Sequence, residues 1–248
     1  MKVVQLLPIW PQGAGTAGRP LGFEVRDLPK SDTGSPVLSA RPGSRTSNPV
    51  ARSAAGIAGG LAGNFGGAAR KTTDPARDTA CPQPSPDLTS LAAAISAEFS
   101  GFQIRCEVAP VALDPAPSFH SGRQQYYSTD LLARIEERRE CWRVLGVTPL
   151  DLYIPILTFV FGEAQLEGGC AVVSTHRLRQ EFYGLPADPE LARQRLLKES
   201  VHELGHTLGL THCENYECVM APSHAVEWID LKSSHVCWHC RRAILIGD

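Results

Sequence analysis

The sequence predicts an α/β fold: a mixed, twisted sheet with helices packed against it, a long active-site helix, and a C-terminal subdomain clipped by metal. Three observations predict it. From residue 87 onward, apolar β-branched segments alternate with helical ones, the pattern of a layered α/β domain. The helical pattern over residues 188–210 is the longest, and it runs directly into a cluster of histidines and cysteines. A Gly- and Pro-rich stretch sets a short first strand apart from everything else.

The elements follow in order. "MKVVQLLPIW" reads as an alternating buried strand. Its apolar run is interrupted by Gln5 and Pro8 and sits at the short edge of an export signal, so the strand is preferred. Residues 11–86 hold twelve of the 22 glycines and ten of the 19 prolines, too little apolar area to offset the entropy of ordering. This stretch is expected to be a flexible insert. It carries nine Lys/Arg against five Asp/Glu without a basic cluster, which favours a solvated spacer over a nucleic-acid arm. Residues 1–10 and 87–248 are then expected to form a single catalytic domain.

"SPDLTSLAAAISAEFSG" reads as a helix capped by Asp87, with Leu88, Leu91, Ile95 and Phe99 on one face. "FQIRCEVAPV" alternates as a strand. "STDLLARIEERRECWRVLG" reads as a second helix, capped near Ser128 and ended by Gly146. "DLYIPILTFVFGEAQ" and "CAVVSTHRL" read as strands. "DPELARQRLLKESVHELGHTLGL" is the long helix: Asp188 caps it, Pro189 suits its first position and Gly209 ends it. Leu197, Val201, Leu204 and Leu208 recur at helical spacing and should face the core.

At 248 residues with 43% apolar and 20% charged residues, the chain has room for one sizeable core. A net charge of −2 makes no electrostatic case for nucleic acid or an anionic membrane, and no apolar run approaches the roughly 20 residues of a membrane span. Eight cysteines admit a disulfide framework, but that belongs mainly to short secreted chains. Cys81, Cys106, Cys141 and Cys170 stand singly, and the other four cluster at metal-like spacing. A reducing, cytoplasmic setting is therefore expected.

The chemistry is concentrated in "HELGHTLGLTHCENYECVM", His202 to Met220. His202 and His206 lie one turn apart on one helix face, where two imidazoles can meet at a single zinc ion. Gly209 lets the chain turn so that His212 returns as a third ligand. Three neutral imidazoles leave one tetrahedral position for water, the plan of a catalytic zinc site. Glu203 points to that open side, where it can act as general base toward a zinc-bound water in peptide-bond hydrolysis. HExxH alone arises by chance; HExxHxxGxxH fixes five positions in eleven and is far more specific. Cys213 and Cys218, then Cys237 and Cys240 in "CWHC", form two close pairs, the spacing of a closed structural Cys₄ zinc site. Disulfides are the alternative. His224, His235 and His239 lie nearby, with surface or hydrogen-bonding roles expected.

HELGHTLGLTH resembles the metzincin zinc-protease pattern, and Met220 falls where that group carries a methionine turn beneath the metal. HExxHxxGxxH continuing into C-x4-C-x-M and a later CxxC is similar to the archaemetzincins. "MKVVQLLPIW", "RQQYYSTDLL" (123–132), "FVFGEAQ" (159–165), "AVVSTHRL" (171–178) and "DLK" (230–232) look like segments of that family in order. The insert at 11–86 departs from the pattern. The resemblance implies a metzincin-like fold, two zinc ions per chain, and a metallopeptidase acting on a peptide or protein. His202, His206 and His212 would bind the catalytic zinc, with Glu203 as base, Met220 in the turn, and the four cysteines on the structural zinc. A non-catalytic, zinc-stabilised protein-binding module is the alternative; a purely structural site gains nothing from Glu203. Nucleic-acid binding through the CWHC end has only Arg241 and Arg242 in its support.

Overall fold

The computed structural model describes residues 1–11 and 86–246. The glycine-rich insert, apart from its two end residues, and Cys81 lie outside the described residues.

The main sheet is built from β1 (Lys2–Pro8), β2 (Ile104–Val108), β5 (Arg143–Thr148), β7 (Gly162–Ala164) and β8 (Cys170–Ser174), in the order β2-β1-β5-β8-β7. All neighbours are parallel except the last pair, so β7 is an antiparallel edge strand. Three short strands, β3 (Phe119–His120), β4 (Gln125–Tyr127) and β6 (Leu152–Tyr153), form a separate small sheet. Helix α1 (Leu88–Glu98) starts where Asp87 accepts hydrogen bonds from the Thr89 and Ser90 amides, as its cap position predicts. Helix α2 spans Ser128–Glu136, α3 Pro189–Thr207, α4 Val226–Leu231 and α5 Trp238–Ile246.

Alternating side chains of the central strands feed two cores. Val4, Leu6, Leu145, Val147, Ala171 and Val173 pack with Leu91, Ile95 and Phe99 of α1 and with Leu196, Val201 and Leu204 of α3. On the other face, Leu7, Ile9, Val144, Cys170 and Val172 meet Leu131, Leu132 and Ile135 of α2. A sheet covered on both faces needs apolar residues at consecutive positions, and β5 and β8 supply them.

That requirement corrects the second predicted helix. It ends at Glu136, and "RVLGVT" is the central strand β5. Gly146 does not stop a helix; a Cβ there would lie 2.6 Å from Ile9 Cδ1 and 2.9 Å from Ile135 Cδ1. The missing side chain lets α2 sit close to the sheet. Ser128 is the first helical residue and not a side-chain cap: its hydroxyl donates to Glu163 Oε2 at 2.5 Å. The predicted strand over 151–165 is also broken, with only β6 and β7 at its ends. Helices α4 and α5 were not predicted. Among the described residues no helix is long and apolar enough to cross a membrane.

Candidate metal centres

Helix α3 begins at Asp188, whose carboxylate accepts from the Leu191 amide at 2.9 Å, with Pro189 at the first position. It ends in a paired-bond motif: the Leu210 amide donates to Gly205 O and the Gly209 amide to His206 O, both at 3.0 Å. Gly209 takes φ +89°, a conformation that residues with side chains adopt only under strain. The turn carries the chain back along the helix end and leaves Leu210 O where His206 Nδ1 can donate to it, at 2.7 Å. His202 Nδ1 donates in the same way to Val219 O, at 2.8 Å.

These two bonds decide the tautomers. A carbonyl can only accept, so each Nδ1 carries the proton and each Nε2 presents a lone pair. The two Nε2 atoms face each other at 3.1 Å, and a nitrogen of His212 completes a group whose atoms lie within 4.8 Å of one another. Burial, with the Lys232 ammonium next, holds His202 well below the usual imidazole range. Burial lowers His206, and burial with His206 lowers His212 to about 4. Two imidazoles with facing Nε2 lone pairs and no proton between them, with a nitrogen of the third ring alongside, fit a divalent cation; zinc at about 2.0–2.1 Å from each nitrogen suits that spacing.

Glu203 is buried one residue beyond His202, and burial, reinforced by Glu199 and Glu163, raises its carboxyl well above the ordinary range. It lies against β7. A Cβ at Gly162 would stand 2.6 Å from Glu203 Oε1 and 2.7 Å from its Cγ and Cδ, so the bare backbone makes room for the carboxylate. Gly162→Ala is therefore expected to displace that carboxylate. A misplacement of about 1 Å at a reacting group costs on the order of 10²-fold in rate. A kcat within experimental error of wild type would refute the steric reading.

Met220 is fully buried, and its sulfur lies where a side chain at Gly205 would have to go. The Cys213 amide donates to Met220 O at 2.9 Å, joining the segment after His212 to this turn.

The four predicted cysteines also come together. Their sulfurs all lie within 4.8 Å of one another, with Cys213–Cys237 and Cys218–Cys240 each at 3.8 Å. A disulfide needs about 2.05 Å, and all seven described cysteines are free. Four thiolates at about 2.3 Å around one zinc stand about 3.8 Å apart, so the donor set fits a closed tetrahedral site. Burial opposes ionisation of Cys237, yet the Cys240 backbone amide and the neighbouring thiols bring it down to about 7. By contrast, burial pushes Cys106 up to about 12, an inert core thiol. His235 pairs with Glu98, His224 packs edge-on to Trp228 and His239 to Trp238, so none joins the cysteine group.

Sequence reasoning missed four residues around this centre: Gly162, Glu163, Glu199 and Lys232. Glu163, next to Gly162 on β7, accepts from the Ser128 and Thr129 hydroxyls at the start of α2 and so ties the edge strand to that helix. Glu199 and Lys232 form a buried ion pair at 2.9 Å. A charged residue at a position predicted to be helical reads as solvated surface unless its partner is known. The quoted segments "FVFGEAQ" and "DLK" hinted at Gly162, Glu163 and Lys232, and nothing singled out Glu199.

Comparison with known proteins places these features in context. The model of peptidase family M54 matches residues 121–245. The archaemetzincin of Methanocaldococcus jannaschii is 43% identical over 139 residues, covering 56% of this chain and 76% of that protein. The archaemetzincin of Thermococcus kodakarensis is 42% identical over 131 residues, covering 52% and 70%. Among solved structures, archaemetzincin from Methanopyrus kandleri superposes with a TM-score of 0.59 at 36% identity, over 66% of this chain and 89% of that one. A zinc-dependent peptidase from Methanocorpusculum labreanum gives 0.56 at 31% identity, over 64% and 96%.

Proposed function

This chain belongs to peptidase family M54, and from that premise we propose how its chemistry is divided among its residues. It is a zinc metallopeptidase, with a peptide or protein as substrate. In our reading His202, His206 and His212 hold the catalytic zinc and Glu203 is the general base. Cys213, Cys218, Cys237 and Cys240 hold a second, structural zinc, so that each chain carries two. Residues 1–10 and 87–248 serve as one catalytic domain.

The observation that carries this reading is the convergence of three neutral imidazoles beside one buried carboxylate. When bound, zinc supplies Lewis acidity, polarising the scissile carbonyl and making water a stronger acid. The protein's own residues do the rest. The carbonyls of Val219 and Leu210 orient His202 and His206. Glu203, raised by burial and poised against Gly162, takes the proton of the attacking water on its carboxylate. It then delivers that proton to the amide nitrogen as the C–N bond breaks.

The test is zinc per chain by elemental analysis. Wild type is expected to hold two zinc ions and His206→Ala one. Equal zinc in the two proteins would refute the three-imidazole site.

A further inference from the structure

Helix α3 presents two oppositely charged residues one turn apart, Arg195 and Glu199, toward the end of α4 and the residues that follow it. That segment answers with charges in the complementary order. Asp230 receives a two-pronged bond from Arg195, at 2.7 and 2.6 Å, and Lys232 Nζ lies 2.9 Å from Glu199 Oε1. The order of signs admits one register; a slip would set like charges together. Both partners in the Lys232–Glu199 pair are almost wholly out of solvent, with side chains 1% and 4% exposed.

A buried ion pair is a weak source of stability, because removing two charges from water roughly cancels their attraction. Its role is better read from what it holds. Lys232 Nζ also donates to Ala221 O, at 3.2 Å. Ala221 closes the turn that contains Cys218, Val219 and Met220, its amide bonded to Cys218 O at 2.9 Å. Val219 O in that turn is the acceptor that orients His202. The connection therefore forms a closed loop: from α3 through Glu199 to Lys232, to the Ala221 carbonyl, along the turn to Val219, and back to α3 through His202. The same segment grips the turn twice more, through the Ser233 amide on Glu217 O and the Val219 amide on His235 O.

We infer that Lys232, held by Glu199, is a positioning residue for the catalytic metal site: it locks the Met220 turn against the active-site helix and thereby sets the orientation of the His202 imidazole. This rests on the assignment of His202, His206 and His212 as ligands. The partner one bond removed from the ligand is Val219 O, which fixes the ring direction and tautomer of His202; Lys232 acts on that carbonyl through the turn. Lysine suits the place, since one ammonium has donors enough for the Glu199 carboxylate and the Ala221 carbonyl together.

The experiment compares full-length Lys232→Met, Glu199→Gln and the double variant Glu199→Leu/Lys232→Met with wild type. Zinc loss to a chelator, the visible spectrum of the cobalt-substituted protein, thermal unfolding, kcat and KM are read for each. The double variant leaves no unpaired buried charge, so it should fold even where Lys232→Met does not. It is expected to keep the Cys₄ metal, to lose the other about 10–100-fold more readily, and to show an altered three-imidazole cobalt band. Its kcat falls while KM is little changed. Glu199→Gln leaves the Lys232–Ala221 bond in place, so its zinc retention and cobalt spectrum are expected to stay close to wild type. Its kcat also registers the loss of the charge beside Glu203. A folded double variant with wild-type zinc retention and an unchanged cobalt spectrum would overturn the inference. His206→Ala, run alongside, tests the ligand assignment separately: if it retains both zincs, that assignment fails, and not the role of Lys232.

Discussion

Glu203→Gln is expected to lower kcat for peptide hydrolysis by about 10²–10⁴-fold, the usual contribution of a positioned general base, while the zinc content stays at the wild-type value. The substitution is nearly isosteric, so the space left by Gly162 still accommodates the side chain and the fold is undisturbed. What disappears is a carboxylate whose proton affinity has been raised by burial and by the neighbouring Glu199 and Glu163. A carboxylate raised above its ordinary range is the stronger base and is better matched to taking a proton from water. A neutral amide cannot accept that proton at all. The check pairs steady-state hydrolysis of a peptide library with elemental analysis of the same preparation. Undiminished cleavage with zinc retained would remove Glu203 from the mechanism; zinc lost together with activity would make it a structural support of the site.

Cys237→Ser is expected to remove the second zinc and to lower the thermal transition sharply. Structural zinc sites supply apparent binding energies of about 10–16 kcal/mol at neutral pH, and a serine hydroxyl is a poor replacement for a thiolate. The consequence should extend to the catalytic centre, because the two sites share backbone at two places. Cys213 directly follows His212, and Cys218 directly precedes Val219, the acceptor for His202. On the main-chain side, the Cys237 amide donates to Cys218 Sγ at 3.2 Å. Losing the clip therefore frees the third imidazole and the turn that orients the first. Differential scanning calorimetry with zinc analysis reads the first effect, and hydrolysis at a temperature where the variant remains folded reads the second. An unchanged melting temperature with a full zinc count would rule out a structural metal at these cysteines.

The sequence was most informative where geometry is local. Four residues along a helix always return to one face, so His202 and His206 could be placed together without knowing the rest of the fold. The cap at Asp188, the proline after it and the left-handed turn at Gly209 are likewise decided within a few residues, and each stands where the sequence put it. The cysteine pairs were readable for the same reason. The failed second helix marks the edge of such reasoning. "EERRECWRVLG" has respectable helical propensity, but burial on both faces of the sheet claims its last half as β5.

By itself, then, the sequence determined the layered α/β class, the candidate metal ligands and the family resemblance, because those depend on spacing along one element. The tertiary structure alone decided what surrounds them. It brought Gly162 against Glu203 across 41 positions, Glu163 against Ser128 across 35, and Lys232 against Glu199 and Ala221. A buried carboxylate or ammonium is tolerable only beside its partner, and that partner is chosen by packing between elements, which no local pattern encodes.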